Sequence, residues 1–297
     1  MKKVGDIGED PLIAQLCDGL ASSNNLLVGP GDDCAVVDTG KTLTLLKTDA
    51  VVEGVHFLKD ASARKVGWKA VARVLSDFAA MGGKPSEFLI TLALTKDTPV
   101  RWVRDLYRGM EKCLAEHGGV IAGGETTSLP SGAPAMISVA GRGTVTRKQL
   151  ITRSGGKPDD IIFTTGRLGG SIKGKHLTFT PRLKEADWLS RNFKIRSMMD
   201  LSDGLAKDLP RLAAMSGCGF QLNPQDIPRT RGCSIEQALG DGEDFELLFT
   251  TAAKTADLIQ DQWSDEFPKL PLTRIGHLQS EEGNSLKGGW DHFQHAE

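Results

Sequence analysis

Carboxylates beside glycines recur along this chain. "GPGDDCAVV" sets Asp32 and Asp33 between a glycine turn and an apolar run, and "KTDAVVEGVHF" offers Thr48, Asp49 and, past Gly54, His56. "VLSDFAAMGG" carries Ser76 and Asp77 inside an apolar stretch, and "VIAGGETTSL" has Gly124 and Glu125. Farther on, "MMDLSDGL" supplies Asp200, Ser202 and Asp203, and "GDGEDFELLF" supplies Asp241, Glu243 and Asp244. Several of these groups stand where apolar runs end, the usual ligand-binding end of strands in α/β proteins. Carboxylates converging on one place repel one another unless cations sit among them. Oxygen ligands without His or Cys partners suit Mg²⁺, which commonly bridges to substrate phosphates. The chemistry implied is phosphoryl transfer, in which positioning and charge neutralisation do most of the catalysis.

Each group also has an ordinary reading. Gly-Asp-Asp is a good turn sequence, and Asp200 or Ser202 is a candidate helix N-cap. Asp77 can pair with Arg73 one turn earlier on a solvated helix face. Asp241 to Asp244 reads equally as a charged loop. His292 and His295, in a polar tail, are read as solvated. Trp290 in "KGGWDHF" either packs on its own domain or stacks on a ligand.

One motif invites a rival phosphate site. Gly169-x-x-x-x-Gly174-Lys175 follows the strand-like Ile161–Thr165, as a P-loop would. Its lysine must open a helix, whose N–H groups face the phosphates. Here β-branched residues and Pro181 follow within a few positions, and His176 replaces the hydroxyl that would reach Mg²⁺. The segment is a glycine-rich connector, with Lys173 and Lys175 as lid contacts at most. H-E-x-x-H, G-x-S-x-G and Cys-His signatures are absent.

The elements that must position these residues are legible as periodicity. Helices are expected from Asp10 to Ala21, over "ARKVGWKAVARVLSDFAA", over "PVRWVRDLYRGMEKCLAEH" and from Leu201 to Ser216. Strands are expected at "CAVVD", "KTLTLLKTD", "EFLITLAL", "AMISVAGRGTV", "DIIFTTG" and "FELLFTT". Thr146 to Asp160 is the boundary candidate, giving two α/β or α+β domains, 1–147 and 148–297.

Composition sets the class. The chain has 297 residues, 39% hydrophobic and 25% charged, with a formal net charge of −2. That describes a globular protein and argues against a nucleic-acid partner. Five cysteines in no C-x-x-C pair fit a reducing compartment. With neither a signal-peptide pattern nor a membrane-length apolar run, the expectation is a cytoplasmic enzyme.

The words "GDDCAVV", "TDAVVEGVHF", "LSDFAAMGG", "AGGETT", "TRSGGKPDD", "TTGRLGGS", "HLTFTPRL", "DLSDGL", "GEDFELLF" and "GWDHF" run in the order found in thiamine-monophosphate kinases. The chain thus resembles that family, of the superfamily that includes aminoimidazole ribonucleotide synthetase. The resemblance implies a two-domain fold whose N-terminal sheet domain dimerises, making a homodimer, followed by a C-terminal α/β domain. It implies ATP as co-substrate, thiamine monophosphate as acceptor, thiamine diphosphate as product and direct in-line transfer with Mg²⁺. By the same resemblance Asp33, Thr48, Asp49, Asp77, Glu125, Asp200 and Asp203 are metal ligands, with Asp49 and Asp203 at the reaction itself. Gly124, Glu125, Arg153 and Ser202 then contact ATP, and His56, Glu243 and Trp290 hold the thiamine phosphate. A tryptophan face over a thiazolium cation is chemically sensible.

This chain departs from the family pattern at several positions. Glu125 stands for an Asp, Lys47 for a small polar residue, Ala50 for a Thr, Arg73 for an Asn and Asp241 for a Gly, and the segment 166–182 is short. The alternatives are a relative that uses ATP on a different acceptor, or a non-catalytic nucleotide-binding relative.

Overall fold

A computed structural model describes residues 2–281 and 285–293. After helix α1 (Glu9–Cys17) the chain builds a sheet from β1 (Leu26–Val28), β2 (Ala35–Asp38), β3 (Leu43–Val52), β4 (Lys84–Thr95), β5 (Val120–Leu129) and β6 (Met136–Val145). The strand order is β1-β2-β3-β6-β4-β5, antiparallel except for the β4–β5 pair. Side-chain alternation divides this sheet into two faces. Leu43, Leu45 and Val51 of β3 are buried with Phe88, Ile90, Ile137 and Val139. They pack beneath α2 (Ala63–Ala80) and α3 (Val100–His117), which cover that face. Among the described residues no helix covers the opposite face, and Leu46 and Leu89 stand about half exposed there.

The two helices approach until only glycine fits. A Cβ on Gly67 would lie 1.9 Å from the Leu106 carbonyl oxygen, and one on Gly109 1.9 Å from that of Arg64. Gly67→Ala is therefore expected to force α2 and α3 apart and to cost about 3 kcal/mol, read as a lower thermal midpoint.

The second sheet joins β7 (Ile161–Thr165), β8 (Ser197–Asp200), β9 (Gly219–Leu222), β10 (Leu247–Thr251) and β11 (Leu272–Gln279) in the antiparallel order β8-β10-β7-β11-β9. Both of its faces are covered. Ile162, Met199 and Leu248 pack under α5 (Leu205–Met215) and α6 (Ile235–Gly240). Their neighbours Phe163, Met198 and Phe249 pack under α4 (Leu183–Asn192) and α7 (Ala253–Glu266). Strands buried on both sides read as continuous apolar runs, as "IIF" and "LLF" do. Helix α2 also touches β8 and α4, so it sits wedged between the two sheets.

Several expectations are corrected. Helix α1 ends at Cys17, short of Ala21, and buries none of its residues, so Leu16 and Leu20 are exposed. Helix α5 begins at Leu205 with Gly204 as its N-cap. Asp200 closes β8 instead of capping that helix, and Ser202 lies in the intervening loop. The near P-loop forms short 3₁₀ turns at Ser171–Lys173 and Lys175–Leu177. Lys175 is spent on the Arg167 carbonyl and the Glu246 carboxylate. All five cysteines are free. Among the described residues, no helix is long and apolar enough to cross a membrane.

Candidate active site

Helix α2 is buried nearly all round, yet Lys69, Arg73, Ser76 and Asp77 form a polar stripe along it at i, i+4, i+7 and i+8. One end of the stripe meets an acid cluster. Asp33, from the Gly31 turn before β2, Asp77 and Asp200, from the end of β8, each present an atom within 4.8 Å of the others, and all are buried. Resident groups hold the cluster. Arg153 Nη2 lies 2.5 Å from Asp33 Oδ1, and Lys47 Nζ lies 2.7 Å from Asp77 Oδ1. The Ser76 hydroxyl donates to Asp200 Oδ2 at 2.5 Å, and Arg73 Nη2 lies 3.7 Å from Asp49. The ordinary alternative, a solvated Asp77–Arg73 pair, is not what forms: Asp77 pairs with Lys47 and Arg73 with Asp49.

Burial dominates the electrostatics. It pushes Asp77 well above the ordinary carboxylate range, against the pull of Lys47. Asp200 is raised to about 7 by burial and the Asp33 charge, which outweigh the Ser76 bond. Asp33 Oδ2 is buried without a hydrogen-bond partner. Oxygen-only donors around an orphaned carboxylate oxygen are a fit for a hard divalent cation.

The other end of the stripe meets a cavity of about 270 Å³ walled by His56, Arg73, Ser202, Asp203, Glu243 and Trp290. Glu243 sits in the loop between α6 and β10 with φ +53°, an uncommon conformation for a non-glycine residue. Lys69 Nζ reaches its carboxylate at 2.7 Å and His176 Nδ1 reaches it at 3.0 Å. Burial would raise Glu243, but the His176 bond and the Lys69 charge hold it at about 2. Lys69 itself is wholly buried and is lowered by that burial to about 8. Its Nζ donates to the Glu243 carboxylate and, at 2.6 Å, to the His56 carbonyl, two acceptors that suit an ammonium. His56 is driven down to about 3 by burial and by Arg73, so it is neutral near pH 7. Its Nδ1 accepts the Val52 N–H at 3.1 Å, which leaves the proton on Nε2.

Asp203 faces the same cavity and is tethered by Arg211 at 2.6 Å and Lys207 at 3.6 Å. Trp290 closes the wall, its backbone N–H donating to the Asp203 carbonyl at 2.8 Å. His292, expected to be solvated, is exposed but also lines this cavity, its ring 5.5 Å from that of His56. His295 lies outside the described residues.

Two parts of the predicted ligand set are not brought in. Thr48 is exposed, and its position between Lys47 and Asp49 in β3 sends its side chain to the bare sheet face. Gly124 and Glu125 fall within β5, not at a strand end. Through β4 and β6, Gly124 stands level with Asp49 and Glu125 with Ala50. Three strand spacings separate them from β3, roughly 14 Å.

Family profiles for AIR synthase related proteins match this chain, the N-terminal domain over residues 31–145 and the C-terminal domain over 129–288. A thiamine-monophosphate kinase of Rhodopirellula baltica is 33% identical over 86% of this chain and 84% of its own length. That of Escherichia coli K12 is 34% identical over 82% of each. This chain belongs to the thiamine-monophosphate kinase family. A solved structure described as AaThiL complexed with AMPPCP and TMP superposes with a TM-score of 0.85 at 29% identity, covering 98% of this chain and 99% of that one. The thiamine-monophosphate kinase of Stenotrophomonas maltophilia K279a gives 0.75 at 27% identity, over 94% and 95%.

Membership fixes the two-domain AIR synthase-related fold and adds no contact to the site. The sequence reading missed Lys69, and it missed the place of His176 beside Glu243. A lysine within the apolar pattern of α2, aligned with Arg73 and Asp77, was the available signal for the first. Nothing local marked His176, because its partners are 107 and 67 positions away.

Proposed function

We propose that this chain transfers the terminal phosphoryl group of ATP to thiamine monophosphate by direct in-line displacement, giving thiamine diphosphate. The supporting observation is that one cavity gathers His56, Glu243 and Trp290 with Ser202 and Asp203. Acceptor-binding and nucleotide-binding residues thus share a wall, as transfer without a covalent intermediate demands. The Trp290 indole offers its face to a cationic thiazolium, and the ionised Glu243 adds negative charge beside it. Neutral His56 keeps an Nε2–H donor, and Arg73 supplies a fixed cation, so both suit the acceptor phosphate. The cluster of Asp33, Asp77 and Asp200, flanked by Asp49 and by Asp203 on the cavity wall, is the site that would hold Mg²⁺. Bound there, Mg²⁺ neutralises charge on the transferring phosphates. Arg153 braces Asp33 and is a donor for the nucleotide.

The bare face of the first sheet, with Leu46 and Leu89 in the open, favours a homodimer packed through that face. Glu125 is too far from its own acid cluster to serve it, so a second copy is its route to a nucleotide. The direct test incubates purified protein with ATP, Mg²⁺ and thiamine monophosphate and separates products by chromatography. Thiamine diphosphate and ADP should appear in equal amounts. Bound nucleotide without thiamine diphosphate would instead identify a non-catalytic relative.

A further inference from the structure

The acid cluster already carries much of its own counter-charge. Asp33 is paired with Arg153, Asp49 with Arg73 and Asp77 with Lys47, while among the described residues Asp200 has the Ser76 hydroxyl and no ion pair. These three cations are not equivalent. Arg153 also donates to the Gly31 carbonyl and Arg73 to the Ala50 carbonyl, so backbone contacts fix both. Lys47 makes its single described ion pair with Asp77, and its side chain is 23% exposed. An ammonium has three donors, and the one described ion pair leaves this one with donor capacity to spare.

We propose that the Lys47 ammonium is a tethered cation that takes the place of a divalent ion at Asp77, leaving Asp33 and Asp200 as the cluster's ligands for metal. The inference rests on the phosphoryl-transfer reading of this site. It begins from a distance: at 2.7 Å the ammonium occupies the approach to Asp77 Oδ1. A divalent ion binding that oxygen would have to displace it and then sit beside a like charge. Asp33 is different, since its Oδ2 is buried with nothing bonded to it. The cluster therefore offers metal an unengaged oxygen on the Asp33 side and one already engaged by a cation on the Asp77 side. Lys47 lies in β3 directly opposite Gly141 of β6, on the sheet face that α2 covers. Such a cation neutralises phosphate without a dissociation constant of its own, so the protein should need less free Mg²⁺ to assemble its complex.

The experiment counts metal, not turnover. Mn²⁺ binding to the full chain is titrated by electron paramagnetic resonance with the non-hydrolysable AMPPCP present, for wild type, Lys47→Met and Lys47→Arg. Lys47→Met keeps the stem and drops the charge. It should bind an additional Mn²⁺ per chain, or bind the existing ion at least about tenfold tighter. Lys47→Arg should match wild type. Equal counts and affinities in wild type and Lys47→Met, both with metal bound, would overturn the tethered-cation role while leaving the kinase reading intact. If neither protein binds Mn²⁺, the metal-dependent reading fails and this inference falls with it. Circular dichroism melts identify any variant that has failed to fold, and a folded Lys47→Arg that gains metal like Lys47→Met would also overturn the role.

Discussion

Asp200→Asn should lose about 10²–10³-fold in kcat and at the same time make the metal-free protein more stable at pH 8. The two effects have one origin. Asp200 closes β8, is buried, and faces Asp33 and Asp77 within the same 4.8 Å cluster. Asparagine keeps its shape and can still accept the Ser76 bond, so the fold loses no packing. What it loses is a charge that a phosphate-bound cation would need. The stability sign follows from the folded-state value of about 7 against an ordinary 3.8. A group raised in this way favours folding below about 3.8, and that contribution is lost as pH rises toward 7. Above pH 7 the folded protein bears the full cost of ionising a buried carboxylate, up to about 4 kcal/mol. Asparagine removes that cost. Melting of wild type and variant without metal should therefore separate at pH 8, with the variant higher, and converge near pH 4. A variant that keeps its kcat would remove Asp200 from the reaction. One that melts lower at pH 8 would show the carboxylate to be a structural anchor.

The acid words and the helix periods were readable because each is local. "GDDCAVV", "LSDFAAMGG" and "DLSDGL" supply Asp33, Asp77 and Asp200, and only tertiary structure can show that the three meet. The strands were readable because buried runs such as "LLFTT" have no competing period. Two kinds of feature were not readable. Strand position depends on pairing partners, so Glu125 read as the end of a strand although it lies mid-strand beside Thr91. Charge partners depend on chain-distant approach. Arg73 could be read as a surface mate of Asp77, yet it is largely withdrawn from solvent and turned toward Asp49 once α2 is wedged between the sheets. Helix α1 erred in the other direction: its apolar spacing promised a buried face, and Leu16 stays in solvent.

The same wedge makes Lys69 the most consequential residue that the sequence did not announce. Lys69→Met should destabilise the protein by about 3–5 kcal/mol, because it strands the Glu243 carboxylate in a site built for a cation. A thermal midpoint lower by about 10 °C is the expected size. Glu243 lies on a strained loop and is held by Lys69 from α2 and by His176 from the shortened connector. Loss of the lysine should therefore also raise KM for the acceptor more than it lowers kcat. The pH dependence identifies the cause. Glu243 is held at about 2 against its ordinary 4.5, so its contribution is present above 4.5 and is lost as pH falls toward 2. Lys69 is held at about 8, so its burial cost is relieved as pH rises from 8 toward 10.5. Both slopes belong to one pair, and Lys69→Met should flatten both. Adding Glu243→Gln to Lys69→Met removes the stranded charge and should recover part of the lost stability, without restoring acceptor affinity. Additive losses in the double variant would mean that the two residues act separately. Partial recovery would mean that Lys69 shapes the acceptor pocket through Glu243, a role that a filler of the α2 core could not produce.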